Sequence, residues 1–304
     1  PAYEAGPEYS SLYVTKNTRR SWIVEPQVSW ALQWKYGKTE VLAGGTFQQQ
    51  KSSNLLLEAD GFASNSLIYN LASAFSVITL KDQQTDYKYQ AFFGRLNYSY
   101  NERYILNLTG RRDGSSRFGP GRQFATFGAI GGAWLFGDEA FLKENKILSF
   151  GKLRGSYGIT GNDQIGDYQF LDTYLSSGVS YAGVIGLQPT RLYNPNFGWE
   201  TNKKLEIALE TGFFKDRIFL TLGWYSNRSS SQLVGIPMPA TTGFNSIQGN
   251  LDATVQNRGV EVTLRMVNFQ KPNFNWTTNF NISFAKNKLL SFPELEGSTY
   301  RNQF

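Results

Sequence analysis

Two carboxylate pairs are the first candidates for chemistry in this chain of 304 residues: Asp163 with Asp167, and Glu206 with Glu210. A pair held close can divide the roles of general acid and general base. Glu206 and Glu210 lie two alternations apart on one extended segment, so they share a face, and Lys204 shares it with them. Mutual neutralisation in a wet interior is the simpler expectation for that trio. A Ser–His or Asp–His pair and any thiol nucleophile are closed off by composition, because the sequence has 0 His and 0 Cys. That removes the commonest general base, the commonest metal ligand and every thiolate or disulfide. Gly128–Gly132 lacks the spacing of a phosphate-binding loop, and its glycines read as close strand packing or curvature. The chain is expected not to be an enzyme and to hold no metal.

Binding chemistry has two sources. The net charge is +6, yet the only basic cluster is Arg111, Arg112, Arg117 and Arg122. Nucleic acid calls for a basic stripe on one face, so it is not an expected partner. Tyr168, Tyr174, Tyr181, Tyr193 and Trp199 gather in one long connecting stretch, 161–197 and just beyond. Aromatic faces there could stack on sugar rings; packing of the loop against its neighbours is the commoner use of such residues.

The elements that must carry these residues are strands. Trp276, Thr278, Phe280, Ile282 and Phe284 alternate with Asn275, Thr277, Asn279, Asn281 and Ser283. Val260, Val262, Leu264 and Met266 alternate in the same way with Gly259, Glu261, Thr263 and Arg265. Leu205, Ile207, Leu209 and Phe213 oppose Lys204, Glu206, Ala208 and Glu210; Val28, Trp30, Leu32 and Trp34 oppose Gln27, Ser29, Gln33 and Lys35. A strict period of two puts one face in apolar surroundings and the other in water. About ten such segments occur, most of about ten residues, the length of a tilted bilayer crossing and longer than an ordinary strand.

Their connections alternate in length. Short joins fall at Tyr36–Thr39, Asn101–Arg103 and Phe214–Arg217; long stretches fall at Lys51–Asp86, Gly161–Phe197 and Ser229–Gln256. Short turns on one side and long loops on the other describe a bacterial outer-membrane barrel. Aromatics beside the short joins (Trp34 and Tyr36, Tyr100 and Tyr104, Phe213 and Phe219, Trp134 and Phe136) suit a band at the membrane interface. Asp138–Lys143 is expected to form a turn of helix, Ser64–Phe75 a short amphipathic helix, Ile236–Pro239 an extended segment and Thr242–Gly243 a turn. No apolar run approaches the roughly 18 residues of a membrane helix, and no charged-then-apolar leader follows Pro1. The fold class is therefore all-β: an antiparallel transmembrane β-barrel segment of about ten strands, with short periplasmic turns and long extracellular loops.

Specific strings then carry a resemblance. RRDGSSRFG (111–119), KLRGSYGITGN (152–162), NPNFGWETNKKLEIALETGFFKDRI (194–218), NRGVEVTL (257–264) and FNWTTNFNISFAKNKLL (274–290) occur in series. Together they resemble the SusC/RagA family of TonB-dependent outer-membrane transporters of Bacteroidota, from about Arg20 to the end. The resemblance implies active import of large nutrients, oligosaccharides or peptides, across the outer membrane of a Gram-negative cell. It implies outer-membrane lipid, a SusD-like surface lipoprotein and TonB as partners, TonB acting through an N-terminal region not in this sequence, and no cofactor.

The resemblance also implies a fragment. Residues 1–304 correspond to part of the barrel domain, with no plug and no TonB box, ending at Phe304 inside an expected outer loop. Arg111, Arg112, Asp113 and Arg117 lie in a family-like string at the outer rim and are candidates to touch plug, lid or ligand. A charge-paired network that fixes the loop is the preferred reading of them. Two other functions are weighed: an outer-membrane adhesion or structural barrel binding a partner through its loops, and a soluble secreted β-sheet protein. The soluble reading requires charges interrupting the apolar faces; Trp276–Phe284 and Val260–Met266 run uninterrupted.

Overall fold

The structure, a computed structural model, describes residues 9–142 and 145–293. Lys143, the chain start at Pro1 and the end at Phe304, each named above, lie outside the described residues. Fifteen strands account for most of the chain: β1 (Ser11–Val24), β2 (Gln27–Gln33), β3 (Gly37–Phe62), β4 (Ala74–Tyr100), β5 (Tyr104–Ser115), β6 (Phe124–Trp134), β7 (Leu148–Asn162), β8 (Thr173–Tyr181), β9 (Val184–Arg191), β10 (Glu200–Phe213), β11 (Ile218–Ser230), β12 (Gln232–Pro237), β13 (Ser246–Leu251), β14 (Thr254–Lys271) and β15 (Phe274–Ser291). The main sheet has eleven strands in the order β1-β3-β4-β5-β6-β7-β10-β11-β14-β15, with β2 also on β3, and every pair for which a register is described is antiparallel. The pairs β12–β13 and β8–β9 form two separate small sheets.

The chain divides into two compact units, residues 1–24 with 47–89, and residues 25–46 with 90–304. In the first, β1 pairs with β3 from Val24↔Phe47 to Ser11↔Asp60. Polar side chains link its strands: Tyr13 donates to Glu58 at 2.5 Å, Trp22 to Gln49 at 3.2 Å, and Gln49 to Asp86 at 2.8 Å. Ala59, Phe62 and Tyr87 are buried in it. The long loop expected over Lys51–Asp86 is mostly strand, since β3 runs to Phe62 and β4 starts at Ala74. Instead of an amphipathic helix, Ser64–Phe75 holds two single 310 turns, Asn65–Leu67 and Leu71–Ser73. The Asn70 side chain caps the second by accepting from the Ala72 N–H at 3.1 Å.

In the second unit the short connections set the register. At 101–103, Asn101 and Glu102 both take positive φ, the backbone hand that matches the twist of a tight hairpin. At 214–217, Phe214, Lys215 and Asp216 take positive φ in succession. The near-side helical turn is a 310 turn at Phe136–Asp138, two residues earlier than the acidic run suggested. There the Phe136 ring fills the space beside Gly151 that a side chain would take.

Cross-strand register turns alternation into surfaces. Ile207, Trp224, Val260 and Phe284 stand side by side on β10, β11, β14 and β15, at 47%, 38%, 42% and 63% exposure. A parallel row runs Leu153, Leu209, Leu222, Val262 and Ile282. A soluble sheet would bury such rows; a barrel turns them to lipid. A bulge between Val267 and Phe269 reverses parity at the end of β14, bringing Phe269 to the same side as Trp276, its ring stacked at 5.9 Å. The opposite face carries Lys204, Glu206, Glu210, Tyr225, Glu261 and Arg265. Phe219 belongs to that polar face and not to the interfacial band. A four-residue turn puts Phe213 and Ile218 opposite one another, so the next residue points inward. There Phe219 packs on Phe150 at 5.5 Å, with the Arg265 guanidinium 5.9 Å from its ring.

Candidate functional site

The polar face is built from residues that no single strand could supply. Arg154 on β7 reaches two carboxylates of β10, donating from Nε to Glu210 at 2.8 Å and from Nη1 to Glu206 at 2.5 Å. Lys152 lies 3.6 Å from the second oxygen of Glu210. The neutralising partners are thus Arg154 and Lys152, where Lys204 was expected. Lys204 opposes Gly158 and Asn227 across the sheet, one row away from Glu206, whereas Arg154 opposes Ala208 between the two carboxylates.

Beside this cluster the same face holds a concavity of about 540 Å3. Ser156, Thr160, Lys204, Glu206, Asn257 and Glu261 are among its lining residues. Gly158 and Gly223 lie among them without side chains to fill the space, and a Cβ on Gly158 would come within 2.9 Å of the Ala129 Cβ. Asn257 Oδ1 is buried there with no hydrogen-bond partner. A hollow lined by opposite charges, amides and hydroxyls, with a spare acceptor, suits a polar, hydrogen-bonding ligand or segment. Period-two reading identified Lys204, Glu206 and Glu261 as one-faced, but only register shows that they meet.

At the long-loop end, a rim cluster gathers the family-like string. Arg111 donates from Nε to both oxygens of Asp113 at 2.8 and 2.9 Å, and Asp113 is only 6% exposed. Arg117 donates to Asp167 at 2.9 Å and to the Asp163 carbonyl at 2.9 Å, which brings the sequence-distant pair Asp163 and Asp167 to one guanidinium. Neither carboxylate is placed as the acid or base of a dyad by these contacts. Arg112 stands on the other face of β5, its guanidinium 5.5 Å from the Phe124 ring. Beneath the cluster Phe118, Phe127 and Phe197 are buried, and the Trp199 ring packs on Phe118 at 4.9 Å and on Phe127 at 5.6 Å. Trp199 Nε1 donates to the Gln123 carbonyl at 3.0 Å.

The other loop aromatics are dispersed. Tyr174 and Tyr181 sit on β8, whose hairpin with β9 is open to solvent; Tyr181 is 87% exposed and Tyr174 donates to Asp172 at 3.2 Å. Tyr168 has positive φ, and its carbonyl accepts from Arg191 at 3.2 Å. Tyr193 is exposed beside Asn194.

At the short-turn end, Glu139 collects three donors: Tyr104 Oη at 2.6 Å, Trp134 Nε1 at 3.0 Å and Arg103 Nη1 at 3.0 Å. The hydrogen bond from Tyr104, then that from Trp134 and the nearby Arg103 charge, hold its carboxyl below the ordinary glutamate value. Among the described residues no group of His, Cys, Asp and Glu could hold a metal ion.

Comparison with known proteins agrees with this architecture. Residues 2–303 match the family model described as TonB dependent receptor-like, beta-barrel. TonB-dependent receptor P26 of Formosa agariphila is 34% identical over 259 residues, covering 82% of this chain and 26% of that protein. TonB-dependent receptor SusC of Bacteroides thetaiotaomicron is 30% identical over 226 residues, covering 69% of this chain and 22% of that protein. The chain therefore spans about a quarter of the length of the curated relatives it matches. Among solved structures, the RagAB peptide transporter shares the fold with a TM-score of 0.83 and 23% identity, over 93% of this chain and 31% of that one.

Proposed function

Because the chain belongs to the TonB-dependent receptor-like β-barrel family, we propose that it forms a wall segment of an active importer of the outer membrane. The cargo is a large polar nutrient, an oligosaccharide or a peptide. The observation that carries this is the two-faced sheet: rows of exposed apolar side chains on one side, and an ionic cluster beside a polar hollow on the other. An adhesion barrel would act through its outer loops alone, and the family of the chain favours the importer over it. On this reading residues 1–304 form part of one barrel domain. The plug and the TonB-contacting region lie in the longer protein, and a SusD-like lipoprotein meets the loops on the long-loop side. Arg111, Asp113 and Arg117 act by holding that rim in shape, and Arg112, on the other face, does not line the lumen. One relative is named TonB-dependent receptor SusC and a structure that shares the fold is a peptide transporter, and neither name fixes the cargo of this chain.

Deletion of the full-length gene, followed by growth on peptides or on oligosaccharides as sole carbon source, tests the reading. Growth on one class should fail and return with the wild-type gene. Uptake should stop when the proton-motive force is collapsed. Unchanged uptake of both classes, with surface attachment lost, would replace the importer by an adhesion barrel.

A further inference from the structure

The short-turn end carries a second hollow, on the lipid side of the sheet. Trp34, Tyr36, Tyr98 and Tyr100 line a concavity of about 480 Å3 together with Lys35. Register settles which face this is. Leu32 opposes Thr39 on the side of Trp30 and Val41, and Trp34 Nε1 donates to the Thr39 hydroxyl at 3.0 Å. On β4, Tyr98 and Tyr100 alternate with Asn97, whose amide donates to the lumen-side Asn107 at 2.8 Å. All four rings are more than a third exposed. The Gly37 turn lies against them: a Cβ there would meet the Ser99 carbonyl at 2.6 Å and the Tyr98 hydroxyl at 3.1 Å. Lys35 Nζ rests 4.9 Å from the Tyr36 ring, and among the described residues no carboxylate pairs with it.

We propose that this hollow seats the glycerophosphate headgroup of one anionic phospholipid from the leaflet on the short-turn side. The phosphate lies against Lys35, and the acyl chains run along Trp30, Val41 and Phe92. Three features single out that occupant. The hollow has room for on the order of fifteen water molecules, far more than a lone phosphate needs. Amphipathic rings of this kind sit at headgroup depth. The wall continues without a break into the apolar lipid face. The inference rests on that face meeting lipid and goes beyond the import reading.

The test uses the full-length protein, stripped of lipid in detergent, and native mass spectrometry. The probes are phosphatidylglycerol, phosphatidylcholine of the same chains, and inorganic phosphate. One phosphatidylglycerol should bind in preference to phosphatidylcholine, and millimolar phosphate should not displace it. Lys35→Ala should weaken it by about five-fold, the worth of one cation at a membrane surface. Tyr98→Leu should weaken both lipids. Equal binding by wild type and Lys35→Ala, or no preference between the lipids, overturns the proposal; displacement by phosphate reassigns the hollow to a free anion and overturns it as well. Heat-modifiable migration of the wild type reports the barrel separately, so lost lipid preference with intact migration counts against the cradle and leaves the importer standing.

Discussion

Asn250 and Gly198 hold each other through two reciprocal hydrogen bonds: the Gly198 N–H donates to Asn250 Oδ1 at 2.8 Å, and Asn250 Nδ2 donates to the Gly198 carbonyl at 2.8 Å. The side-chain amide serves Gly198 as a neighbouring strand would. Asn250 Nδ2 also donates to the Ser231 carbonyl at 3.1 Å, so one residue ties β13 to two other loop segments. Asn250→Asp keeps the acceptor and loses both donated bonds, leaving carbonyls to water. The expected cost is about 1–3 kcal/mol, confined to the loops. Limited proteolysis of intact cells reads it as faster cleavage within 194–199 and 231–253, with the membrane-embedded part untouched.

Arg117 is the second fixed point of the rim. Its fork bridges Asp167 and the Asp163 carbonyl, contacts that a lysine cannot make together. Arg117→Lys should raise amide hydrogen exchange in 163–172 by roughly ten-fold, the equivalent of about 1.4 kcal/mol. Arg112→Lys, on the opposite face of β5, should leave it unchanged. Equal effects of the two would mean that the rim is not held by the Arg117 fork.

Adjacent positions on β11 should answer to different solvents. Leu222 lies in the exposed apolar row, while Thr221 opposes Glu210 and Thr263 on the polar face. Leu222→Arg in the full-length barrel should cost about 2–4 kcal/mol and reduce the heat-modifiable form in outer membranes. Thr221→Arg should insert normally. Equal insertion of both would contradict the assignment of faces.

The Glu139 clamp predicts an acid response. Its folded carboxyl titrates below the ordinary value of 4.5, so the stabilisation it gives is complete above that value and is lost as pH falls through the lower, folded one. Hydrogen exchange over 135–142 should therefore be slow and flat from pH 7 to about 5 after correction for intrinsic rates, and rise below about 4.5. In Glu139→Gln that step should vanish. A step that persists in the glutamine variant assigns it to another carboxylate.

How far the sequence could be read depended on whether two solvents met one strand. Val260–Met266 and Trp276–Phe284 alternate cleanly because one face meets lipid and the other water, and both proved to be strands with the expected faces. The Asn101–Arg103 and Phe214–Arg217 turns were legible for the same reason, since alternation stops on either side of them. Lys51–Asn54 and Lys81–Asp86 read as loop because polar residues fill both parities there, so strand structure leaves no period-two signal. Arg154 could not be matched to Glu206 and Glu210 from one strand; the pairing exists only through the β7–β10 register. Phe219 could have been placed by counting across its four-residue turn. The rim contact of Arg117 with Asp167 spans fifty positions and carries no local signal.

Each barrel strand in this chain therefore answers to two judges that never consult one another. Positions 205, 207 and 209 are held to account by hydrocarbon, positions 204, 206 and 210 by the polar partners they meet across β7 and β11. A change at every second residue of β10 can alter the polar face and leave the fit to the membrane untouched. Divergence among such chains should accumulate with the same beat of two that folds them.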